Sequence, residues 1–151
     1  MTIKEQVDAD LKKAMLAGDK PLVSTLRGLK STILYAEVAA GRRDEGLSDD
    51  AVIPLFQKEA KKRQESADLY RQGNNEEKAA AEEAEKLVTE RYLPAQMDEE
   101  EVQKLVNEVV AGLDEPSMAQ MGTVISEVKK RSSGTADGAI IARLTKERLG
   151  Q

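Results

Sequence analysis

Apolar residues recur along this chain at the three- and four-residue spacing of an α-helix, in segments that glycine or proline interrupts. In the clearest segment, aliphatic residues occupy positions i, i+3, i+4, i+7, i+8 and i+11: Val102, Leu105, Val106, Val109, Val110 and Leu113. The apolar stripes are narrow, because charged residues make up 34% of the chain. Such a stripe buries one side of a helix against other helices and leaves the remainder in water. The spacing therefore predicts an all-α protein.

Capping residues and helix breakers divide the sequence into seven predicted helices and no strands. Thr2 and Glu5 have the spacing of a capping box at the start of the first helix. The composition changes near Pro94, which ends the fourth helix. We therefore expect an N-terminal four-helix domain over residues 1–93 and a small C-terminal three-helix domain over residues 94–151.

The same spacing indicates which side chains enter the core. In the first helix, apolar residues recur every four positions: Ile3, Val7, Leu11 and Met15. In the fourth helix the expected stripe is Ala80, Ala84, Leu87 and Val88. Arg63 lies at the edge of the stripe of the third helix, so we expect its stem to cover apolar surface while its head contacts water or a carboxylate.

The sequence contains neither cysteine nor histidine, which removes much of the common chemistry of active sites. No disulfide, thiolate nucleophile or sulfur metal site can form, and the commonest zinc ligand is missing. We find no glycine-rich phosphate loop and no dinucleotide-binding fingerprint. Ser126 and Lys130 have the i, i+4 spacing of a helical Ser–Lys pair, but such pairs are common on exposed helix surfaces. We therefore expect no catalytic residues, no metal ion and no cofactor.

The chain also lacks the segments that direct proteins to membranes. No run of about 18 apolar residues is present, so no span is predicted. The start of the sequence, Met1–Glu5, does not have the basic and then apolar pattern of a signal peptide. We therefore expect a cytoplasmic protein without a membrane partner.

Charge is distributed unevenly along the chain, whose formal net charge is −5. Residues 93–116 hold one basic and seven acidic residues, whereas residues 117–151 hold six basic and three acidic residues. The six cations are Lys129, Lys130, Arg131, Arg143, Lys146 and Arg148. They are candidate contacts for the phosphates of a nucleic acid, or they stabilise the negative ends of their own helices.

A segment before the last helix, Gly134–Gly138, offers a second place for an anion. Free N–H groups at the start of a helix can receive a phosphate. Asp137 lies in this segment and would place a like charge beside the anion, so the segment is a weaker candidate than the six cations.

Five short motifs together resemble a known family. They are Ala17–Gly18–Asp19–Lys20 followed by Leu26–Arg27, Lys58–Ser66 with Tyr70, Tyr92–Gln96, Met121–Gly122 and Gly134–Gly138. In this order, and over nearly the whole chain, they resemble the YqeY-like family. The resemblance implies a two-part all-α protein. It also implies that the C-terminal part is similar to the tail domain of the B subunit of the tRNA-dependent amidotransferase, a module that helps to hold tRNA.

Our leading hypothesis is a non-catalytic accessory protein that binds tRNA, or a complex linked to tRNA, through the six cations. One alternative is a protein-binding helical adaptor, which would use the groove between the two domains and an apolar face formed by Met118 and Met121. Another is a carbon–nitrogen ligase with glutamine as amido donor, as the label of the family suggests.

Overall fold

The structure, a computed structural model that describes residues 1–150, confirms the all-α prediction. This part of the chain forms seven α-helices and no strand. The helices are α1 (Ile3–Ala17), α2 (Lys20–Ala39), α3 (Asp49–Gln72), α4 (Glu76–Glu90), α5 (Glu99–Ala111), α6 (Met121–Arg131) and α7 (Gly138–Leu149), with a 3-10 turn at Met118–Gln120. Contacts between Cα atoms divide the chain into two compact units, one ending at Leu93 and the other starting at Pro94.

Local side chains determine where the helices begin. The Thr2 hydroxyl accepts a hydrogen bond from the Glu5 N–H (3.1 Å), and the Glu5 carboxylate accepts one from the Thr2 N–H (2.9 Å). The predicted capping box of α1 is therefore confirmed. Asp98 caps α5 by accepting a hydrogen bond of 2.8 Å from the Glu101 N–H.

The core of the first unit lies between α1, α2 and the start of α3. Its large buried side chains are Ile3, Val7, Leu11, Leu26, Leu29, Ile33, Val52 and Phe56. Tyr92 meets the Phe56 ring edge to face, with ring centroids 6.0 Å apart, and its hydroxyl donates a hydrogen bond to Asp10 Oδ2 (2.5 Å). Burial, together with this hydrogen bond, raises the pKa of Tyr92.

The expected stripe of α1 is wrong at its last position. Met15 is 52% exposed, and Ala14 is buried in its place. A helix turns about 100° per residue, so a residue eleven positions after Ile3 returns to within about 20° of it, whereas twelve positions places Met15 about 120° away. A repeat of four residues therefore leaves the core face after three turns.

Arginines and glutamates join α3 to α4. The Arg63 guanidinium lies 3.1 Å from a Glu82 oxygen, 3.4 Å from Glu85 and 3.5 Å from Glu59. Burial lowers the pKa of Arg63, but the hydrogen bond to Glu82 and the charges of all three carboxylates outweigh it and raise the pKa. This arrangement confirms the expectation that the head of Arg63 contacts a carboxylate.

A second arginine repeats this arrangement two turns further along α3. Arg71 donates hydrogen bonds to Glu76 (3.0 Å) and to Glu83. These bonds raise the pKa of Arg71 and, from the other side, the bond from Arg71 lowers the pKa of Glu83. Lys86 donates to the Gln64 side-chain oxygen at 2.9 Å.

The apolar contribution to this helix pair is small. The buried residues of α4 are Ala79 and Thr89, opposite Ala60 and Ala67 on α3. The expected stripe of α4 is therefore wrong at Ala80, Ala84 and Leu87, which are exposed, whereas Val88 is half-buried and packs against the core of the first unit. The face of α4 that contacts α3 thus carries the ion-paired Glu82 and Glu85 as well as small buried residues, and the largest apolar side chain, Leu87, lies outside it.

The first turn of α3 is attached to a different neighbour. Asp49 Oδ1 accepts a hydrogen bond of 2.9 Å from the Ile3 N–H, and Val52 is buried in the core beside α1. Pro54 follows within the helix and has no N–H to donate to the carbonyl four residues earlier. Nearby, the fully buried Glu37 carboxylate is held by Lys4, whose Nζ lies 2.8 Å from Oε1.

The second unit packs α5, α6 and α7 against one another around a core rich in valine. The fully buried apolar side chains are Val102, Val106, Val110, Val124, Val128 and Ile141. The Met97 N–H donates to the Thr135 carbonyl (2.9 Å), which ties the start of the unit to the loop between α6 and α7. Residues 94–151 contain no aromatic residue.

None of the helices described within residues 1–150 is both long enough and apolar enough to cross a bilayer.

We expect Arg63→Met to lower the free energy of unfolding of the first unit by about 1–3 kcal/mol, because three carboxylates lose the cation that they share. Urea unfolding followed by tyrosine fluorescence measures this unit alone, since all three tyrosines lie before residue 94. Arg43→Met is the matched control, because Arg43 is exposed and forms no ion pair among residues 1–150. Equal losses in the two variants would contradict this role of Arg63.

Glu83 and Glu85 are neighbours on α4 with opposite pKa shifts. Burial, only partly offset by the charge of Arg63, raises the pKa of Glu85, whereas Arg71 lowers that of Glu83. Glu83 therefore contributes stability that is present above the ordinary glutamate pKa of about 4.5 and is lost as the pH falls through its lower folded value. The effect of Glu85 on stability has the opposite sign. Because the folded state binds the proton of Glu85 more tightly than the unfolded state does, the free energy of unfolding falls as the pH rises through its folded pKa.

We accordingly expect Glu83→Gln to lower the melting temperature of the first unit at pH 7 and Glu85→Gln to leave it unchanged or raise it. Both differences should shrink toward pH 3. Thermal unfolding followed by tyrosine fluorescence between pH 3 and pH 7 measures them. A lower melting temperature at pH 7 in both variants would contradict the sign assigned to Glu85.

Candidate nucleic-acid interface

The six predicted cations lie in two neighbouring helices of the second unit. Lys129, Lys130 and Arg131 form the last turn of α6, and the other three lie on α7. A methyl group placed on Gly138 would lie 3.7 Å from Lys129 Cε and 3.8 Å from its Nζ. The Lys129 ammonium therefore lies beside the first residue of α7. The position in the last turn is also the one in which cations favour the negative end of α6.

Two of the six cations are held by carboxylates of the same unit. Arg131 Nε lies 2.9 Å from Glu127 on the preceding turn of α6. Arg143 donates a hydrogen bond to Glu99 in the first turn of α5 and lies 3.6 Å from Glu147. The bond to Glu99 raises the pKa of Arg143. The Arg143–Glu99 pair therefore joins α7 to α5, and the Arg131–Glu127 pair lies within α6. Both arginines stay predicted phosphate contacts, but each already has a carboxylate partner.

The remaining four cations have no carboxylate within ion-pair distance among residues 1–150: Lys129, Lys130, Lys146 and Arg148. Three of them are exposed, and Arg148 is half-buried. Free cationic side chains at a surface are the groups that exchange their counterions for phosphates.

These four side chains do not share one helix face. At about 100° per residue, Lys146 lies within about 60° of Arg143, whereas Arg148 lies about 160° from Lys146, nearly on the opposite side of the helix. Arg143 also brings the acidic first turn of α5 beside α7, because its partner Glu99 is followed by Glu100 and Glu101. The cationic surface is therefore divided between the end of α6 and separate sides of α7.

The start of α7 is occupied by its own cap. Asp137 Oδ1 accepts hydrogen bonds from the Ala139 N–H (2.8 Å) and the Ile140 N–H (3.1 Å). These are the N–H groups that a phosphate would require. The Thr135 hydroxyl, two residues before this cap, donates to the Ser132 carbonyl at 2.7 Å.

The structure does not bring together the residue pairs that the sequence suggested for protein binding or for catalysis. Met121 packs against the core of the second unit, while Met118 is 45% exposed, so the two methionines do not form one apolar face. Ser126 and Lys130 are both exposed and share no hydrogen bond in the described part of the chain. No group of three or more acidic residues within residues 1–150 is arranged to hold a metal ion.

From the sequence alone, we do not predict a binding role for Lys20 and Arg27 of the first unit. The structure places Lys20 and Arg27 at one groove between α1 and α2. The local charge is the signal that points to them, because residues 11–28 hold four basic residues and a single acidic one within an acidic chain.

Comparison with known proteins relates the chain to others over nearly its full length. It is 28% identical over 151 residues to altered inheritance of mitochondria protein 41, mitochondrial, of Pyrenophora tritici-repentis, and the match covers 96% of this chain and 80% of that protein. A family model described as Yqey-like protein matches residues 4–149. The resemblance seen in the motifs is confirmed, and the chain belongs to the YqeY-like family.

Proposed function

We propose that this protein is a non-catalytic accessory module that binds tRNA, or a complex containing tRNA, through the second unit. The observation that carries the proposal is the set of four cations on α6 and α7 that no carboxylate of residues 1–150 neutralises. Lys129, Lys130, Lys146 and Arg148 are the contacts that we assign to phosphates.

The spacing of these contacts fits a weak interaction with a backbone rather than readout of bases. The cations lie on separate helix faces, so they do not form a pocket for a single base. Residues 94–151 contain no aromatic side chain on which a base could stack. Phosphate contacts position a nucleic acid without reading its sequence. The proposed binding is therefore tolerant of the tRNA sequence.

The proposal of a non-catalytic role rests on the composition of the chain. Without histidine and cysteine, the groups that most often transfer protons or attack substrates near neutral pH are missing. That residues 1–93 and 94–151 are separate domains, and that the protein is cytoplasmic, are further parts of this proposal. The name of the relative places that protein in mitochondria.

A titration with bulk tRNA tests the proposal. Each phosphate contact contributes about −0.9 to the slope of log K against log salt, so four contacts predict about a hundredfold loss of affinity between 50 and 200 mM salt. We expect the change of all four cations to Gln to remove this binding. No binding by the unaltered protein at either salt concentration would contradict the proposal.

A matched control tests whether the loss of affinity comes from these four positions or from the change in net charge. The variant with Lys12, Arg43, Lys58 and Lys61 changed to Gln loses the same charge from exposed positions of the first unit that form no ion pair among residues 1–150. We expect it to retain most of the affinity. Glutamine- and ATP-dependent conversion of Glu-tRNA by the purified protein would contradict the non-catalytic role.

The two arginines that form ion pairs provide a second comparison. Arg143→Gln should leave tRNA affinity nearly unchanged but slightly lower the stability of the second unit, because Glu99 loses its partner. Lys146→Gln should lower the tRNA affinity and leave the stability of the second unit nearly unchanged. Amide hydrogen exchange in α5 and α7 measures the stability, and the tRNA titration measures the affinity. Equal affinity losses in both variants would contradict this assignment.

A further inference from the structure

A groove in the first unit combines an apolar floor with unpaired cations. It has a volume of about 480 Å³ and lies between the end of α1 and the first half of α2. Its lining residues are Met15, Gly18, Lys20, Val23, Ser24 and Arg27. Met15 is 52% exposed, and the neighbouring Leu16 is 91% exposed. Val23 is half-buried and packs against the core, so the floor lies below the surrounding surface.

The wall formed by α2 has a regular pattern along the helix. Lys20, Val23, Ser24 and Arg27 occupy positions i, i+3, i+4 and i+7, which is one helix face. With a rise of about 1.5 Å per residue, the backbones of Lys20 and Arg27 are about 10 Å apart along the axis. The face therefore presents a cation, an apolar contact and a second cation in sequence.

The cations of this groove are free to bind a partner. Neither Lys20 nor Arg27 forms an ion pair or a side-chain hydrogen bond within the described part of the chain. Lys12 and Lys13, on the preceding turn of α1, are likewise exposed and unpaired there. The acidic residue of this region, Asp19, accepts a hydrogen bond from the Leu22 N–H as the cap of α2 (3.2 Å).

We propose that this groove binds an amphipathic, acidic helix of a partner protein. A helix lying along α2 would place carboxylates seven residues apart opposite Lys20 and Arg27. Apolar side chains at the third and fourth positions between those carboxylates would enter the groove against Met15 and Val23. Methionine adapts its shape to such a contact, and helices commonly bind apolar grooves with this spacing.

The apolar floor distinguishes a protein partner from the other anionic surfaces. A nucleic-acid backbone would contact the cations but leave Met15, Leu16 and Val23 without apolar partners. A flat bilayer surface could accept Leu16, but it would not enter a recess whose floor includes the half-buried Val23. An amphipathic helix supplies both the carboxylates and the apolar side chains.

A synthetic helical peptide tests the proposal on the full-length protein. The peptide carries two glutamates seven residues apart with leucines at the third and fourth positions between them, and ¹H–¹⁵N spectra of the protein detect its binding. We expect shift changes at Met15, Val23 and Ser24, and about a tenfold loss of affinity when Lys20→Glu and Arg27→Glu are combined. A peptide with lysines in place of the glutamates should regain binding to that double variant.

The matched control combines Lys58→Glu and Lys61→Glu on α3, which make the same charge change at exposed positions. We expect this control to keep the affinity of the unaltered protein. No binding of the acidic peptide, equal losses in both double variants, or no recovery with the lysine peptide would overturn the proposal.

Two further probes address the other anionic surfaces. Vesicles containing phosphatidylserine and bulk tRNA should leave the signals of the groove residues unchanged. Shift changes at Met15, Val23 and Ser24 caused by either probe, without an effect of the acidic peptide, would assign the groove to a membrane or to RNA and overturn the proposal. The test is independent of the tRNA interface on α6 and α7, because the double variant leaves those helices unaltered.

Discussion

Arg63 and the three glutamates around it form the interaction on which the first unit most depends. The facing surfaces of α3 and α4 bury alanines and a threonine, so hydrophobic burial alone gives this helix pair little preference for one rotation. Small residues let the two backbones approach, and the guanidiniums of Arg63 and Arg71 then determine the register of the pair. Charge geometry supplies the specificity that a larger core would otherwise provide.

In the second unit, the helices are held together mainly by apolar packing rather than by ion pairs. Its helices bury β-branched side chains, mainly valine, whose restricted rotamers pack with little loss of side-chain entropy. Within residues 94–150, one ion pair joins two helices, Arg143 with Glu99, and it lies at the exposed edge of this apolar core. Lys129, Lys130, Lys146 and Arg148 are left available for partners, whereas on α3 the two arginines, Arg63 and Arg71, are paired with carboxylates of α4.

The sequence was sufficient for features that depend on neighbouring residues. Caps such as Thr2 and Asp98, and the strict stripe of α5, follow from local hydrogen bonds and from helix periodicity. The exposure of Leu87 could not be predicted in this way, because it follows from ion pairs between helices. For the candidate interface, the sequence identified the basic segment, but not that Arg143 is neutralised by a residue 44 positions earlier in the chain.

Helix α3 contacts α1 at its first turn and α4 along most of its remaining length. Its first turn is fastened to α1 through Asp49 and Val52, and the longer remainder is fastened to α4 through Arg63 and Arg71. Pro54 lies between these two parts, where the helix lacks one backbone hydrogen bond because proline has no N–H. Loss of the contacts at Asp49 therefore leaves the ion pairs of Arg63 and Arg71 with α4 in place, so the two ends of one continuous helix depend on different neighbours.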